Sequence, residues 1–269
     1  MADIENRTEV SKRIWNGSIN IKIILDLDGR RLEYLVQAFR NSYFPLLYPQ
    51  LIAYFQNFTN KRIASPIWLE FEDVPLRWNI PVGVLYDYLY LPAHHSDRDR
   101  CWELNLQIND TFPVEYVMPF TKTNEDSIEY VKCLNEVLKN QLKQSTFVIN
   151  GSAKSIMQMS EQDSENYLYS ITSRNLNQYN SFNNKLIKSV KGVPIRIISP
   201  GSDTMSQVPA SPAQTLAELV KSTTDDLSEI AHPHAHGIDI SRLSDTPLLD
   251  IWQIFKHPDN VLYITMIIL

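Results

Sequence analysis

At 269 residues, the chain exceeds the about 100–200 residues of a typical domain, so two or three modules are expected. Its 43% hydrophobic residues, 7 Gly and 15 Pro suit ordered cores and exclude a disordered or fibrous chain. A formal net charge of −6 excludes a dedicated nucleic-acid binder, which needs a basic face to displace phosphate counterions.

Asp3 and Glu5 stand where a secretory leader carries lysines, and no apolar h-region follows. The longest apolar stretch, residues 261–269, falls far below the about 20 residues of a spanning helix. Cys101 and Cys133 do not make a disulfide framework, which predicts a reducing, cytoplasmic setting.

In chain order, residues 8–15 predict a short leading helix that Asn16-Gly17 ends. Ile19, Ile21 and Ile23 alternate with Asn20 and Lys22, which is strand periodicity. The Asp-Leu-Asp-Gly turn at residues 26–29 returns the chain into a second strand carrying Leu32, Tyr34, Val36 and Ala38. Leu47, Leu51, Tyr54, Phe55 and Phe58 fall at helical spacing, and strands are predicted at residues 67–71 and 102–108. Between those strands, Asn79 is a candidate helix cap with Pro81 in the first turn. Hairpin, helix, strand, short helix, strand is the order of a ubiquitin-like β-grasp.

The middle of the chain reads as helical. Thr123 is expected to cap a helix with Glu125 and Asp126 at its positive end. Ile128, Val131, Leu134, Leu138 and Leu142 form its apolar stripe, which gives way near Lys143 to residues 143–157. Asn150-Gly151 breaks the run, and Ser160 with Glu161 and Asp163 begins another helix through Tyr167, Leu168, Ile171 and Tyr179. Lys132, Glu136, Lys139 and Lys143 share one face, predicting that Lys143 is presented to solvent.

The last third repeats the first. A hairpin is expected from residues 195–198 and 205–208, then a helix started by Ser211, Pro212 and Gln214. A strand at residues 237–240, a helix opened by Thr246-Pro247 with Leu248, Ile251, Trp252 and Phe255 inside, and a closing strand at residues 261–268 complete it. The expected fold class is α+β, two ubiquitin-like β-grasp domains flanking a helix-rich domain. The boundaries are an N-terminal helix at 1–15, ubiquitin-like domain A at 16–118, the helix-rich domain at 119–187 and ubiquitin-like domain B at 188–269.

Catalytic groups are sparse. Neither cysteine stands near a histidine in sequence or at a helix start, so both read as packing residues. His232-Pro-His234 follows both cysteines, the reverse of a ubiquitin-conjugating enzyme's order. His232, His234 and His236 alternate as a zinc strand might, yet no further ligand is evident and no metal is expected. The aromatic run Tyr43, Phe44, Tyr48, Tyr54, Phe55 and Phe58 is read as core, with any exposed fraction available to a partner helix. A chain stopping at Met266-Ile-Ile-Leu269, without a flexible terminal glycine, reads as an acceptor of a modifier and not as one.

Six motifs carry a resemblance. They are Trp15-Asn-Gly, Trp78-Asn-x-Pro-Val-Gly-Val-Leu-Tyr-Asp87, Lys143-Gln-x-x-Phe-Val-Ile-Asn-Gly-Ser-x-Lys154-x-Ile-Met157, Ile171-Thr-x-Arg-Asn175, Gly237-Ile-Asp-Ile240 and Asp259-x-x-Leu-Tyr-Ile264. In this order the chain resembles the autophagy protein five family, the acceptor of the autophagy ubiquitin-like modifier, in its fungal form. The resemblance implies that Lys143 is the isopeptide acceptor for the modifier's C-terminal glycine, delivered by E1-like and E2-like autophagy enzymes. It also implies binding to the N-terminal helix of a coiled-coil partner. The conjugate is then an E3-like factor acting with a lipid-conjugating E2-like enzyme to join the second autophagy modifier to phosphatidylethanolamine. That reading makes the chain a non-catalytic subunit without cofactors, cytoplasmic and recruited peripherally to the preautophagosomal structure and isolation membrane. The alternatives are a cysteine hydrolase of ubiquitin-like substrates and a non-covalent β-grasp adaptor. The His-His-Ser-Asp-Arg-Asp-Arg loop at residues 94–100 matches nothing in the family pattern.

Overall fold

The structure is a computed structural model describing residues 2–59, 63, 66–94, 101–109, 111–122, 127–201, 205–224 and 230–268, with side chains from residue 7 onward. Helix α1 (Ala2–Asn16) leads into strands β1 (Ser18–Leu27) and β2 (Arg30–Phe39). The turn between them holds Asp28 at φ 48° and Gly29 at φ 76°. That pair of left-handed residues makes the twist of a two-residue hairpin, which is why Asp-Gly signals it. A 3-10 turn (Phe44–Leu46), α2 (Tyr48–Gln56), β3 (Ile67–Phe71), β4 (Val74–Pro75), α3 (Val82–Leu89), α4 (Leu91–His94) and β5 (Trp102–Ile108) complete the first module. Its sheet order is β2-β1-β5-β3-β4 with β1 parallel to β5.

Helices α5 (Tyr130–Asn150), α6 (Lys154–Met157), α7 (Glu161–Thr172) and α8 (Leu176–Leu186) follow. Then come β6 (Val193–Ile198), β7 (Ser206–Ala210), α9 (Leu216–Thr224), β8 (Ala231–Ala235), β9 (Ile238–Asp239), α10 (Leu248–Phe255) and β10 (Leu262–Ile268). The second sheet has the order β7-β6-β10-β8-β9, with β6 parallel to β10. The two modules therefore share one β-grasp topology around a helical bundle, as expected.

The cores are less separate than the sequence boundaries. Ile21, Leu69, Trp78 and Trp102 of the first module pack into one continuous cluster with Leu134, Leu138, Leu142, Tyr167 and Ile171 of the bundle. The second module has its own core around Ile195, Leu216, Trp252 and Ile264, which also takes Ile14 of α1 and Ile149 of α5.

Several local expectations are corrected. Asn79 does not cap α3; Pro81 itself occupies the N-cap without a side-chain bond, and the Asn79 carbonyl accepts from Gln141 Nε2 at 3.2 Å. Helix α5 begins at Tyr130 after Glu129, because Ile128 is drawn into a bridge with Lys122. Thr123, Glu125 and Asp126 lie outside the described residues. The helix beyond Ser160 is two helices: Ser160 caps α7 by accepting from the Asp163 amide at 3.1 Å, Arg174 turns left-handed at φ 59°, and Asn175 caps α8. The break is fixed by Trp15, whose indole Nε1 donates to the Arg174 carbonyl at 3.1 Å while Arg174 Nη2 donates to the Trp15 carbonyl.

The start at Ser211 fails too. Residues 211–214 form a turn, and a reciprocal box four residues on caps α9: Glu218 N–H donates to Thr215 Oγ1 at 3.3 Å and Thr215 N–H donates to Glu218 Oε2 at 3.0 Å. The strand expected at residues 237–240 is displaced. The main strand is β8, and His236 and Gly237, both at positive φ, turn the chain into the two-residue β9.

Candidate functional site

Lys143 lies inside α5 and not at its end. The helix runs on through Ser145, Thr146, Val148 and Ile149, poor helix formers by propensity, because packing holds them: Thr146 and Ile149 are buried, and Ser145 Oγ donates to the Leu142 carbonyl at 3.2 Å. Gly151, at φ 71°, ends it. Lys143 is half-buried, whereas Lys132, Glu136 and Lys139 on the same face are exposed, so the expectation of full exposure is corrected. A lysine stem lies along the helix surface and leaves its amine outward. No carboxylate pairs with Lys143 among the described residues, while one turn later Phe147 exposes 60% of its surface.

What α5 is anchored to gives this amine its setting. At one end the Tyr130 hydroxyl accepts from the Ile67 amide at 3.2 Å, and Gln141 reaches Asn79, both in the first module. At the other end Ile149 enters the second core, and its carbonyl accepts from the Lys191 amide at 2.7 Å. The helix is a strut between the two sheets.

The modules also meet directly. Arg40, at the end of β2, pairs with Asp87 of α3 and donates to the Gly83 carbonyl at 3.3 Å. The Gly237 amide of the second module donates to Asp87. A methyl on Gly237 would stand 2.8 Å from Arg40 Nη2, so the glycine of the Gly237-Ile-Asp-Ile240 motif permits close approach as well as the turn. Burial raises the Asp87 carboxyl against the opposing pull of Arg40. Gly83 is equally constrained, since its Cβ would come within 2.7 Å of Arg40 Cβ.

Around Asn260 the second module and the bundle exchange hydrogen bonds. Tyr179 donates to Asn260 Oδ1 at 3.0 Å, and Asn260 Nδ2 donates to Asn183 Oδ1 at 2.8 Å. Asp259 accepts from the Tyr263 hydroxyl at 2.8 Å and from the Val261 amide at 3.1 Å. These contacts make the Asp259-x-x-Leu-Tyr-Ile264 segment a structural joint.

The remaining candidates are dispersed. Cys133 is buried with its thiol toward the Thr121 carbonyl at 3.6 Å. Cys101 shares a cleft with His94, but that ring is stacked on Tyr90 at 4.1 Å and its Nδ1 donates to the Tyr90 carbonyl at 3.1 Å. Residues 95–100 of the adjoining loop lie outside the described residues. The histidines diverge: His232 is exposed beside Ser241, His234 is buried, and His236 lies in the turn with Nε2 donating to the Phe255 carbonyl at 2.8 Å. His236 stacks on His257 at 4.0 Å, and burial, with Arg40 adding, pushes it down to about 3. Among the described residues no three His, Cys, Asp or Glu side chains gather as a metal site.

One concavity draws on all parts of the chain. It measures about 460 Å³ and lies between α1, α8 and α10, with Ile14, Trp15, Leu176, Ile254, Lys12 and Lys256 among its walls. Lys256 rests its amine 4.2 Å from the centre of the Trp252 ring, and burial lowers its pKa to about 8. Sequence reading missed this groove because it is assembled from three distant segments. The aromatic run lies elsewhere: Tyr43, Phe44, Tyr48 and Phe55 are buried, and Tyr54 packs between Tyr34 and Phe58.

Family models match the chain in three consecutive stretches: autophagy protein ATG5, UblA domain, over residues 14–108; the alpha-helical bundle region over 131–189; and the UblB domain over 192–266. The chain is 49% identical to autophagy protein 5 of Candida albicans, each chain covered in full. It is 43% identical to that of Lodderomyces elongisporus, over 99% of this chain and 98% of the relative. The crystal structure of Kluyveromyces marxianus Atg5 superimposes with a TM-score of 0.81 over 96% of this chain and 99% of that one, at 24% identity.

Proposed function

Because the chain belongs to the autophagy protein 5 family, we propose that it is a non-catalytic scaffold of an E3-like complex, joined at Lys143 to a ubiquitin-like modifier. The attack is by the neutral Lys143 amine on the thioester between the modifier's C-terminal glycine and the cysteine of an E2-like enzyme. An amide bond forms, the C–S bond breaks, the thiolate leaves and the amine's proton passes to base. With a reference lysine pKa of about 10.4, about one amine in a few thousand is neutral at pH 7, so the E2-like enzyme assists deprotonation. An E1-like enzyme loads that thioester.

The observation that carries this reading is the setting of Lys143: a half-buried stem on a helix held at both ends, an amine without a carboxylate partner among the described residues, and exposed Phe147 beside it. The groove between α1, α8 and α10 is the proposed seat of the coiled-coil partner's N-terminal helix, since its apolar walls come from the bundle, the second module and the leading helix together. The conjugate then recruits the lipid-conjugating E2-like enzyme and promotes joining of the second modifier to phosphatidylethanolamine at the preautophagosomal membrane. Membrane association is peripheral in this reading; no helix among the described residues is long and apolar enough to cross a bilayer.

Reconstitution with the E1-like and E2-like enzymes and the modifier, followed by mass spectrometry of the branched peptide, tests it. The Lys143 peptide is expected to carry the modifier's C-terminal glycine, and Lys143→Arg to abolish linkage. Full linkage of that variant overturns the assignment.

A further inference from the structure

The groove between α1, α8 and α10 reverses the charge of the molecule around it. The chain carries −6 overall, yet among the described residues the charged side chains lining this groove are Arg7, Lys12 and Lys256, all cationic. Arg7 is satisfied by Asp250 at 3.1 Å. Lys12 and Lys256 have no carboxylate partner among the described residues. Lys256 is the more constrained, half-buried with its amine held over the Trp252 face.

At Lys256 this arrangement is costly when the groove is empty, whereas Lys12 stays exposed. A cation taken from water without an anion loses solvation that the ring face restores only in part. The half-buried apolar side chains of Leu176 and Ile254 in the same walls provide contact for a helix's hydrophobic face. An ammonium at the margin of an apolar seat is the natural complement of a carboxylate flanking that hydrophobic face.

We propose that Lys12 and Lys256 make this groove selective for an amphipathic helix bearing carboxylates beside its apolar stripe, so that charge as well as apolar fit decides which helix docks. The inference rests on the reading of the groove as the coiled-coil partner's seat and adds the chemistry that partner must present. Helices of equal hydrophobicity with basic flanks are rejected by like charge.

The test is direct binding of a synthetic peptide of the partner's N-terminal helix, by calorimetry, to the full chain and to Lys256→Glu, Lys256→Gln, Lys12→Glu and Ile254→Asp. Thermal melts check that each variant is folded, and Lys256→Gln, which keeps a stem over Trp252, covers the case in which the reversal does not fold. Lys256→Glu is expected to weaken binding by about tenfold or more, with Lys256→Gln and Lys12→Glu smaller in effect and affinity falling with added salt. A peptide whose acidic residue is changed to lysine should regain affinity for Lys256→Glu. Salt-independent binding within about twofold of wild type in every lysine variant, with Ile254→Asp defective, overturns the charge inference and leaves the groove reading standing. Binding untouched by Ile254→Asp, or no binding to wild type, overturns the groove reading and the inference with it.

Discussion

Gly237 of the second module donates its amide to the Asp87 carboxylate of the first, the same carboxylate that Arg40 engages. Two sheets, one ending at Ile108 and the other beginning at Val193, are thereby registered through one buried ion pair and one glycine. Removing one partner of such a pair leaves a buried charge uncompensated, at a cost of about 3–5 kcal/mol. Arg40→Ala should therefore lower stability by that order in urea unfolding. Gly237→Ala places a methyl 2.8 Å from Arg40 Nη2 at φ +73° and should cost at least about 1–3 kcal/mol. A Gly237→Ala protein as stable as wild type would show that the turn does not bear on Arg40.

The stacked pair His236 and His257 sets a pH dependence. Both are held below the ordinary histidine value of 6.5, His236 at about 3, chiefly by burial. The unfolded chain binds protons below about pH 6.5 that the folded chain refuses, so stability is fully present above that value and is lost as pH falls toward 3. For two such groups the slope approaches about 2.7 kcal/mol per pH unit. Asp87 and Asp259, raised by burial, act in the opposite sense as they protonate toward the acid end. Urea midpoints at pH 7.5, 6.5 and 5.5 check the sign, and a midpoint that rises across this acid series would contradict it.

Introducing a carboxylate one turn before the proposed acceptor tests how freely Lys143 must move. Lys139→Glu creates an i, i+4 pair with Lys143, worth about 0.2–0.5 kcal/mol on a helix surface. Single-turnover conjugation is expected to slow by about twofold, with recovery at high salt. An unchanged rate would mean that the E2-like enzyme displaces the new partner without cost.

Asn260 joins the second module to Tyr179 and Asn183 of the bundle from a left-handed backbone at φ 65°. Asn260→Gly keeps that conformation accessible and removes the side-chain bonds alone, leaving buried Tyr179 and Asn183 short of partners. A loss of about 1–3 kcal/mol is expected for each group left unpaired. Chemical unfolding, with amide exchange along β10 and α8, locates the effect.

Much of the fold was legible locally. Asp28-Gly29 announced its hairpin, Thr246-Pro247 its helix, Ser160 its cap and Asn150-Gly151 the end of α5. The errors came where distant residues decide. Nothing near Arg174 in sequence shows that Trp15 will hold it in a turn, and Ser211-Pro212 looks like a helix start until Leu216 N–H is seen bonding the Thr246 carbonyl at 3.3 Å. Lys143 was placed on the correct helix with its depth misjudged, because the propensities of Ser145, Thr146 and Val148 hid the packing that carries the helix onward. The groove was illegible because Ile14, Leu176 and Ile254 come together only in the folded chain.

The seating of α5 in both grasp units has a mechanical consequence. A pull applied at Lys143, the proposed attachment point, is divided between the first sheet, through Tyr130 and Gln141, and the second core, through Ile149. Neither half can be peeled away without dragging the strut out of the other, so traction at that point loads the molecule in shear across its whole width.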